Sequence, residues 1–215
     1  MKYLGGKFRI AKPLAQFINS HIHGHDYYEP FVGACHVLKW IRAKNKFASD
    51  IHSDLIEMYK MLQQGWVPPK EVTEEEYHKE HPPHLKAFIG FGCSFGGKWF
   101  GGYARSNKQR WYSLEAYNSL IELLPYVKDV DFKHLNYRNL NCKDAVIYCD
   151  PPYRNTTGYR DTFCHNTFWH WVRRMRTDNI VLVSEYTAPS DFKCIWDVET
   201  KTDLNNEIRL ERVFQ

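Results

Sequence analysis

The chain has 215 residues, enough for one α/β domain with a small insertion, and its apolar and charged fractions are ordinary for a globular protein. No apolar run approaches the length of a membrane span and no signal peptide opens the sequence, so we expect a cytoplasmic protein without a membrane partner. Six scattered cysteines without a C-x-x-C pair argue against a disulfide or zinc framework, and a net charge of +4 makes the distribution of charge more informative than its total.

The first part of the chain alternates between predicted helices and strands. Helices are predicted where apolar residues recur at helical spacing, and strands where short apolar runs precede turn residues. In chain order these are a helix over 10–22, a strand over 27–29, a helix over 35–43, a strand over 47–48 and a helix over 54–62. This alternation predicts a parallel sheet.

The middle of the chain interrupts the alternation. A break rich in glycine and proline at 65–69 is followed by an acidic stretch over 71–80. Residues 90–102, rich in glycine and aromatic side chains, predict a loop or hairpin, and a helix with Ser113 as N-cap is predicted over 113–124.

Sheet strands resume after the interruption. They are predicted near 130–132 and at 145–149, 180–184, 194–198 and 207–213. We therefore divide a single domain into residues 1–63, an insertion over 64–126, and residues 127–215.

The tetrapeptide Asp150-Pro151-Pro152-Tyr153 directly follows a predicted buried strand. It should lie at that strand's carboxyl end, where open α/β sheets bind ligands. The Asp150 carboxylate and the Pro151 carbonyl can each accept an N–H bond, Tyr153 can stack on a ring, and the prolines leave no competing N–H. The group suits a planar base that carries an amine, although these four residues alone also fit a simple turn after a strand.

Two further strand ends carry polar residues. Residues 29–33, Glu-Pro-Phe-Val-Gly, follow the first strand, and Gly33 would let the backbone approach a ligand closely. No G-x-G-x-x-G occurs, so a dinucleotide fingerprint is not supported. Asp50 ends the second strand, where an acidic residue commonly binds a ribose hydroxyl; the alternative for Asp50 is a helix N-cap.

The order and spacing of residues 1–7, 29–33, 49–55 and 150–153 resemble those of the Dam-type (D12 class) DNA N6-adenine methyltransferases. The resemblance implies a Rossmann-like class I methyltransferase fold, α/β with a mostly parallel sheet flanked by helices, in which residues 64–126 form an inserted target-recognition segment. It also implies S-adenosylmethionine as cofactor and double-stranded DNA as partner. We expect a monomer in solution or on DNA, and the compact size is most similar to phage or prophage members, in a bacterium or an infected host cell.

The resemblance assigns roles to individual residues. The catalytic set is Asp150, Pro151, Pro152 and Tyr153. The cofactor-binding set is Tyr3, Lys7, Glu29, Phe31, Gly33, Asp50, Asn136, Tyr137 and Asp150. The sequence departs from the family at Tyr3, usually a tryptophan, and at Asn136-Tyr137, where Asp-Phe commonly contacts the cofactor's adenine. An asparagine carbonyl can still accept from an amine, without the charge.

The implied chemistry is a direct methyl transfer. The adenine N6 amine is a poor nucleophile because its lone pair is delocalised into the ring. Two acceptors, on Asp150 and Pro151, can bind its hydrogens and direct the lone pair toward the sulfonium methyl group. A base in a duplex must be flipped out to reach such a pocket, with Tyr153 as its stacking partner. Cytosine C5 chemistry would need a cysteine, typically after a proline, and no Pro-Cys pair occurs.

Two alternatives to adenine methylation remain open. The pocket could act on another planar amine, such as cytosine N4, an RNA base or a glutamine amide. The chain could also be a DNA-binding relic that has lost methyl transfer, although the intact tetrapeptide argues against this.

A basic and aromatic interval predicts the DNA contacts. No acidic residue occurs between His81 and Leu114. The candidate phosphate-binding residues there are Lys98, Arg105, Lys108 and Arg110. A solvated basic loop is the alternative, but the position matches the family's target-recognition segment. The histidines clustered over 21–25 and 78–84 lack a supporting carboxylate or cysteine arrangement, so no metal site is expected.

Overall fold

The computed structural model describes residues 1–105, 111–154, 163–201 and 208–215. The strands are β1 Asp26–Glu29, β2 Lys46–Asp50, β3 Asp131–His134, β4 Ala145–Cys149, β5 Ile180–Ser184, β6 Cys194–Lys201 and β7 Ile208–Phe214. The helices are α1 Ala11–Ile22, α2 Ser53–Gln63, α3 Glu74–Tyr77, α4 Pro83–Ala87, α5 Tyr112–Val127 and α6 His165–Met175. Among the described residues, no helix has both the length and the apolar character needed to cross a membrane.

The strands form one sheet in the order β3-β2-β1-β4-β5-β7-β6. The pairings from β3 to β5 are parallel, and β7 runs antiparallel between β5 and β6. The predicted α/β fold with a mostly parallel sheet is therefore confirmed. The chain proceeds outward from β1 to β3 and returns to β4 beside β1, so the strand order reverses between β1 and β4. Open α/β sheets bind ligands outside the carboxyl ends of their strands at such a reversal.

Helices cover both faces of the sheet. Along the buried strand β4, Val146 and Tyr148 belong to one hydrophobic cluster, whereas Ile147 and Cys149 belong to a second. The first cluster contains the apolar side of α1, and the second contains the aromatic side of α6. Because successive side chains of a strand point to opposite faces, this division makes β4 the centre of a three-layer molecule.

The helix predicted over residues 35–43 is wrong. Only a single 3-10 turn, Leu38–Trp40, forms there. Cys35 adopts a left-handed conformation with φ of 57°, and Ile41 is extended. The apolar spacing that suggested a helix has another cause: Cys35, Val37 and Leu38 are buried against the core by an irregular segment.

Ser113 is not the N-cap of α5, and that prediction is wrong as well. The helix begins at Tyr112, after Trp111. The Ser113 hydroxyl instead donates to the Lys70 carbonyl at 3.0 Å. The serine thus ties α5 to the segment that precedes α3.

The insertion shares the core of the sheet. Phe88 and Ile89, in a turn of π-helix that continues α4, are buried in the cluster that holds Leu55 and Met58 of α2. The loop or hairpin predicted over 90–102 starts later than expected, because residues up to Gly92 belong to the π-helix turn. The chain then folds back over residues 93–104, where Ser94 and Tyr103 form an isolated bridge. The division of the chain into three segments remains a prediction.

The insertion also holds the beginning of the chain. The Leu4 N–H donates to the Gly97 carbonyl at 3.1 Å. Gly97 has φ of 68°, and a Cβ there would lie 2.6 Å from backbone atoms of Lys2 and Tyr3. Only glycine permits this approach, so residues 2–4 and the hairpin form one packed unit.

Gly97→Ala should therefore separate the hairpin from the beginning of the chain. Gly96 is a matched control, because its φ is also positive, at 65°, but no atom lies within 4 Å of its Cβ position. We expect Gly96→Ala to cost about 1–2 kcal/mol from backbone strain alone, and Gly97→Ala at least about 1 kcal/mol more from the clash. Urea unfolding of both variants measures the difference; equal losses would contradict the close contact.

Candidate active site

The carboxyl ends of β1, β2 and β4 open onto one cleft of about 930 Å³. This volume is within the usual range for small-molecule sites, roughly 300–1,000 Å³. The cleft is lined by all the residues predicted to bind the cofactor, namely Tyr3, Lys7, Glu29, Phe31, Gly33, Asp50, Asn136, Tyr137 and Asp150. The structure thus brings together residues that are far apart in sequence, while their contact with a cofactor remains a prediction.

Asp150 forms an ion pair with Lys7 at the reversal of strand order. The Lys7 Nζ lies 3.0 Å from the Asp150 Oδ1, and Lys7 is only 8% exposed. Burial acts to lower the pKa of Lys7, but Asp150 and Glu211 outweigh it, so the pKa lies above its ordinary value. Burial raises the pKa of Asp150, and Lys7 opposes this rise. The ion pair favours the carboxylate form of Asp150 at the cleft wall, and the remaining lone pairs of that carboxylate can accept hydrogen bonds.

Tyr153 faces away from the cleft wall toward β7. Its hydroxyl donates to the Glu211 Oε2 at 2.9 Å, and the edge of the Tyr186 ring packs against it with centroids 4.7 Å apart. The Lys7 ammonium lies 4.3 Å from the Tyr153 ring centroid. Asp150 and Pro152 line the cleft itself, and Pro151 is buried. Stacking of a base on Tyr153 therefore needs the ring face that Lys7 does not cover, or a displaced Lys7.

Glu29 lies beside Asp150 because β1 and β4 are neighbours. It is 3% exposed, and the Tyr27 hydroxyl donates to its Oε2 at 2.7 Å. Burial raises the pKa of Glu29 to about 8; the Tyr27 hydroxyl opposes that rise, and the Asp150 charge adds to it. A pKa near 8 favours the neutral form of the Glu29 carboxyl at pH 7.

Asp50 joins the ends of β1 and β2. Its Oδ2 accepts from the Gly33 N–H at 3.1 Å and its Oδ1 from the His52 N–H at 3.0 Å. Asp50 is not the N-cap of α2, because that position belongs to His52, whose ring Nδ1 accepts from the Leu55 N–H. Each carboxylate oxygen has a further lone pair, so ribose hydroxyls remain possible partners of Asp50.

Asn136 and Tyr137 follow β3 on the opposite side of the cleft. The Asn136 Oδ1 accepts from the Arg138 N–H at 3.0 Å and caps a short 3-10 turn. Tyr137 is buried and packs against Phe31, with ring centroids 5.2 Å apart. One acceptor site of the Asn136 carbonyl is thus already used by the backbone, which leaves one for an adenine amine.

Sequence reasoning missed two apolar walls of the cleft. Ile51 is 63% exposed although it follows a buried strand, and it lines the cleft next to Asp50. Trp99, in the insertion, also lines the cleft and packs edge-on against His52, with centroids 4.2 Å apart. The position of Ile51 directly after the strand-end acid was a usable signal, whereas no local pattern indicated the position of Trp99.

The predicted DNA-binding residues have different surroundings. Lys98 is exposed and lines the cleft. Arg105 is exposed and forms an ion pair with Glu74, through a bond of 3.0 Å from Nε to Oε2 and a second from Nη2 to Oε1. Lys108 and Arg110 lie outside the described residues. DNA binding by these residues remains a prediction, and Arg105 would have to exchange Glu74 for a phosphate.

Part of the sequence matches a known protein family, and several solved structures are similar to this chain. Residues 3–87 match the model of the D12 class N6 adenine-specific DNA methyltransferases, and no curated protein matches the chain. Similar solved structures include the rRNA methyltransferase aviRa from Streptomyces viridochromogenes (TM-score 0.48, 10% identity, 99% of this chain and 86% of that one). Another is a candidate methylase from Haemophilus influenzae (TM-score 0.46, 10% identity, 96% and 88%). The strand order confirms the mostly parallel α/β sheet that the resemblance implies, and the assignment to the class I methyltransferases remains a prediction.

The neutral state of Glu29 predicts a proton released on cofactor binding. A cation in the cleft favours the carboxylate, so the sulfonium of S-adenosylmethionine should lower the pKa of Glu29 from about 8. Affinity should then rise as the pH increases from about 6 toward the pKa of Glu29. Calorimetry at one pH in two buffers with different ionisation heats measures the number of protons released on cofactor binding.

Glu29→Gln is the matched variant, because its amide oxygen can still accept from Tyr27 but cannot titrate. The buffer dependence should shrink in this variant, and the remainder belongs to other groups, including the cofactor's own amine. An equal buffer dependence in both proteins would contradict the assignment to Glu29.

Proposed function

We propose that this chain, whose residues 3–87 match the model of the D12 class N6 adenine-specific DNA methyltransferases, methylates the N6 amine of adenine in DNA with S-adenosylmethionine. The observation that carries this proposal is the position of Asp150. Its carboxylate lies at the reversal of strand order, paired with Lys7, in the cleft that also contains Glu29 and Asp50.

The residues of the cleft fit S-adenosylmethionine. Asp50 has acceptors for the ribose hydroxyls, and the exposed apolar side chain of Ile51 next to it suits the flat face of an adenine. Gly33, with φ of 44°, keeps the backbone open beside Tyr3, and a Cβ there would lie 3.1 Å from the Tyr3 ring. When bound, the cofactor supplies an electrophilic methyl group on a sulfonium.

Asp150 and Pro151 would orient the target amine. The Asp150 carboxylate accepts one N–H and the Pro151 carbonyl the other, which turns the nitrogen lone pair toward the methyl group. The amine loses a proton after transfer, and the nearby carboxylate stabilises the positive charge that develops before this loss. The target base has to leave its duplex to enter the cleft, at a cost of a few kcal/mol.

The same orientation would serve a cytosine N4 amine or an RNA base. Product analysis distinguishes these substrates: the protein is given tritium-labelled S-adenosylmethionine with DNA or RNA, and the nucleic acid is digested to nucleosides. Tritium in N6-methyl-2′-deoxyadenosine from DNA supports the proposal. Tritium in another nucleoside reassigns the substrate. Transfer to no nucleic acid would refute the proposal and is the result expected of a relic or of an enzyme acting on a glutamine amide.

Asp150→Asn should reduce methyl transfer at least about 100-fold, because an acceptor aimed at the developing charge is replaced by a neutral amide that also carries donors. Asp197→Asn is the control, since Asp197 is an exposed aspartate of β6. The tritium assay measures turnover, and thermal unfolding confirms that both variants are folded. Turnover near that of the unmodified protein in folded Asp150→Asn would refute the role of Asp150.

Arg105→Ala and Lys98→Ala test the predicted DNA contacts. A side chain that binds a phosphate contributes to DNA affinity at every sequence, so its loss should make the slope of log affinity against log salt shallower by about 0.9. Duplex binding over a salt series measures the slope, and calorimetry measures cofactor affinity. If Lys98→Ala leaves the salt slope unchanged but weakens cofactor binding, Lys98 contacts the cofactor rather than DNA.

A further inference from the structure

Glu211 reaches the active site from the antiparallel strand β7. Its partner in the neighbouring strand β6 is Val198, and its side chain is 14% exposed. The Oε2 of Glu211 accepts from the Tyr153 hydroxyl at 2.9 Å and lies 3.5 Å from the Lys7 Nζ. Glu211 therefore contacts both the tetrapeptide and the lysine that pairs with Asp150.

We call the four residues that contact one another around the Lys7 ammonium the Lys7 cluster; they are Lys7, Asp150, Tyr153 and Glu211. It contains one ammonium and two carboxylates in a largely buried place, where an unpaired charge is costly. Asp150 cannot give its full accepting capacity to a target amine while it alone neutralises Lys7. Glu211 supplies the ammonium with a second anionic partner.

We infer that Glu211 is a positioning residue for methyl transfer: it holds the Lys7 ammonium and the Tyr153 hydroxyl when Asp150 engages the target amine. This inference rests on the proposed function. Glu211 acts through Lys7 and Tyr153 and does not itself touch the reacting atoms. It also keeps the Tyr153 ring in a fixed orientation at the edge of the base-binding region.

Removal of the Glu211 charge should lower the pKa of Asp150. The groups that face Asp150 are Lys7, Tyr153 and Glu211, with Glu29, Glu185 and Tyr148 also in electrostatic contact. Burial is the largest cause that raises the pKa of Asp150, and Glu211 raises it further. Without that charge the pKa of Asp150 falls, so the acidic limb of the pH profile should move to lower pH.

Glu211→Gln is the informative variant, because its amide oxygen can still accept from Tyr153 while the charge is lost. Glu211→Asp keeps the charge. Glu199→Gln on the neighbouring strand β6 is the matched control, since Glu199 is exposed and pairs with Leu210. We expect kcat to fall about 10- to 100-fold in Glu211→Gln through misplacement of the base, and the acidic limb of the pH profile to move to lower pH. Glu211→Asp should keep the acidic limb near its original pH, and Glu199→Gln should match the unmodified protein.

A second readout is independent of activity. Glu211 contributes to the raised pKa of Lys7, so its neutralisation should make the Lys7 amine more reactive at a fixed pH. Reductive methylation with formaldehyde, followed by peptide mass spectrometry, should label Lys7 several-fold faster in Glu211→Gln and at the original rate in Glu199→Gln.

The outcomes separate two kinds of failure. Absence of methyl transfer by the unmodified protein would refute the proposed function, whereas unchanged Lys7 labelling in Glu211→Gln would refute the Lys7 cluster. If transfer occurs and Glu211→Gln keeps the original kcat and pH profile, the positioning role is wrong. Equal losses in Glu211→Gln and Glu211→Asp, without a shift of the acidic limb and in proportion to lost thermal stability, would leave Glu211 with a structural role only and overturn the inference.

Discussion

The ion pair between Lys7 and Asp150 joins two parts of the chain that are far apart in sequence. A buried ammonium is stable only with nearby carboxylates, so the segment that carries Lys7 has to remain folded over the end of β4. The same segment is fastened on its other side by the backbone contact between Leu4 and Gly97. The cleft therefore has a wall that exists only while both contacts are made.

The parts of the site that could be predicted from sequence are those at strand ends. Glu29, Asp50 and Asp150 each follow a short apolar run, and parallel strands bring their carboxyl ends to one edge of the sheet. Glu211 could not be found in this way, because its position depends on the antiparallel register of β7, which no local pattern encodes. Trp99 was missed for a similar reason, since its contact with His52 arises from the folding of the whole insertion.

The errors in the fold have a physical cause too. Burial against a core produces apolar spacing whether or not the backbone is helical, and the left-handed backbone at Cys35 interrupts the helix that the pattern suggested. Conversely, α6 was not predicted even though Phe168, Trp171 and Val172 bury one side of it. Phe168, Trp171, Val172 and Met175 recur at helical spacing, so the sequence did carry the signal for this helix and the prediction overlooked it.

The close approach of Gly97 to Lys2 and Tyr3 has a consequence for protein engineering. An exchange of the predicted insertion, residues 64–126, between relatives would carry Lys98 and Trp99 of the cleft with it. In such a chimaera the hairpin of one parent would have to pack against the N-terminal residues of the other. A workable graft would transfer residues 1–7 together with the insertion, so that both halves of the contact come from the same parent.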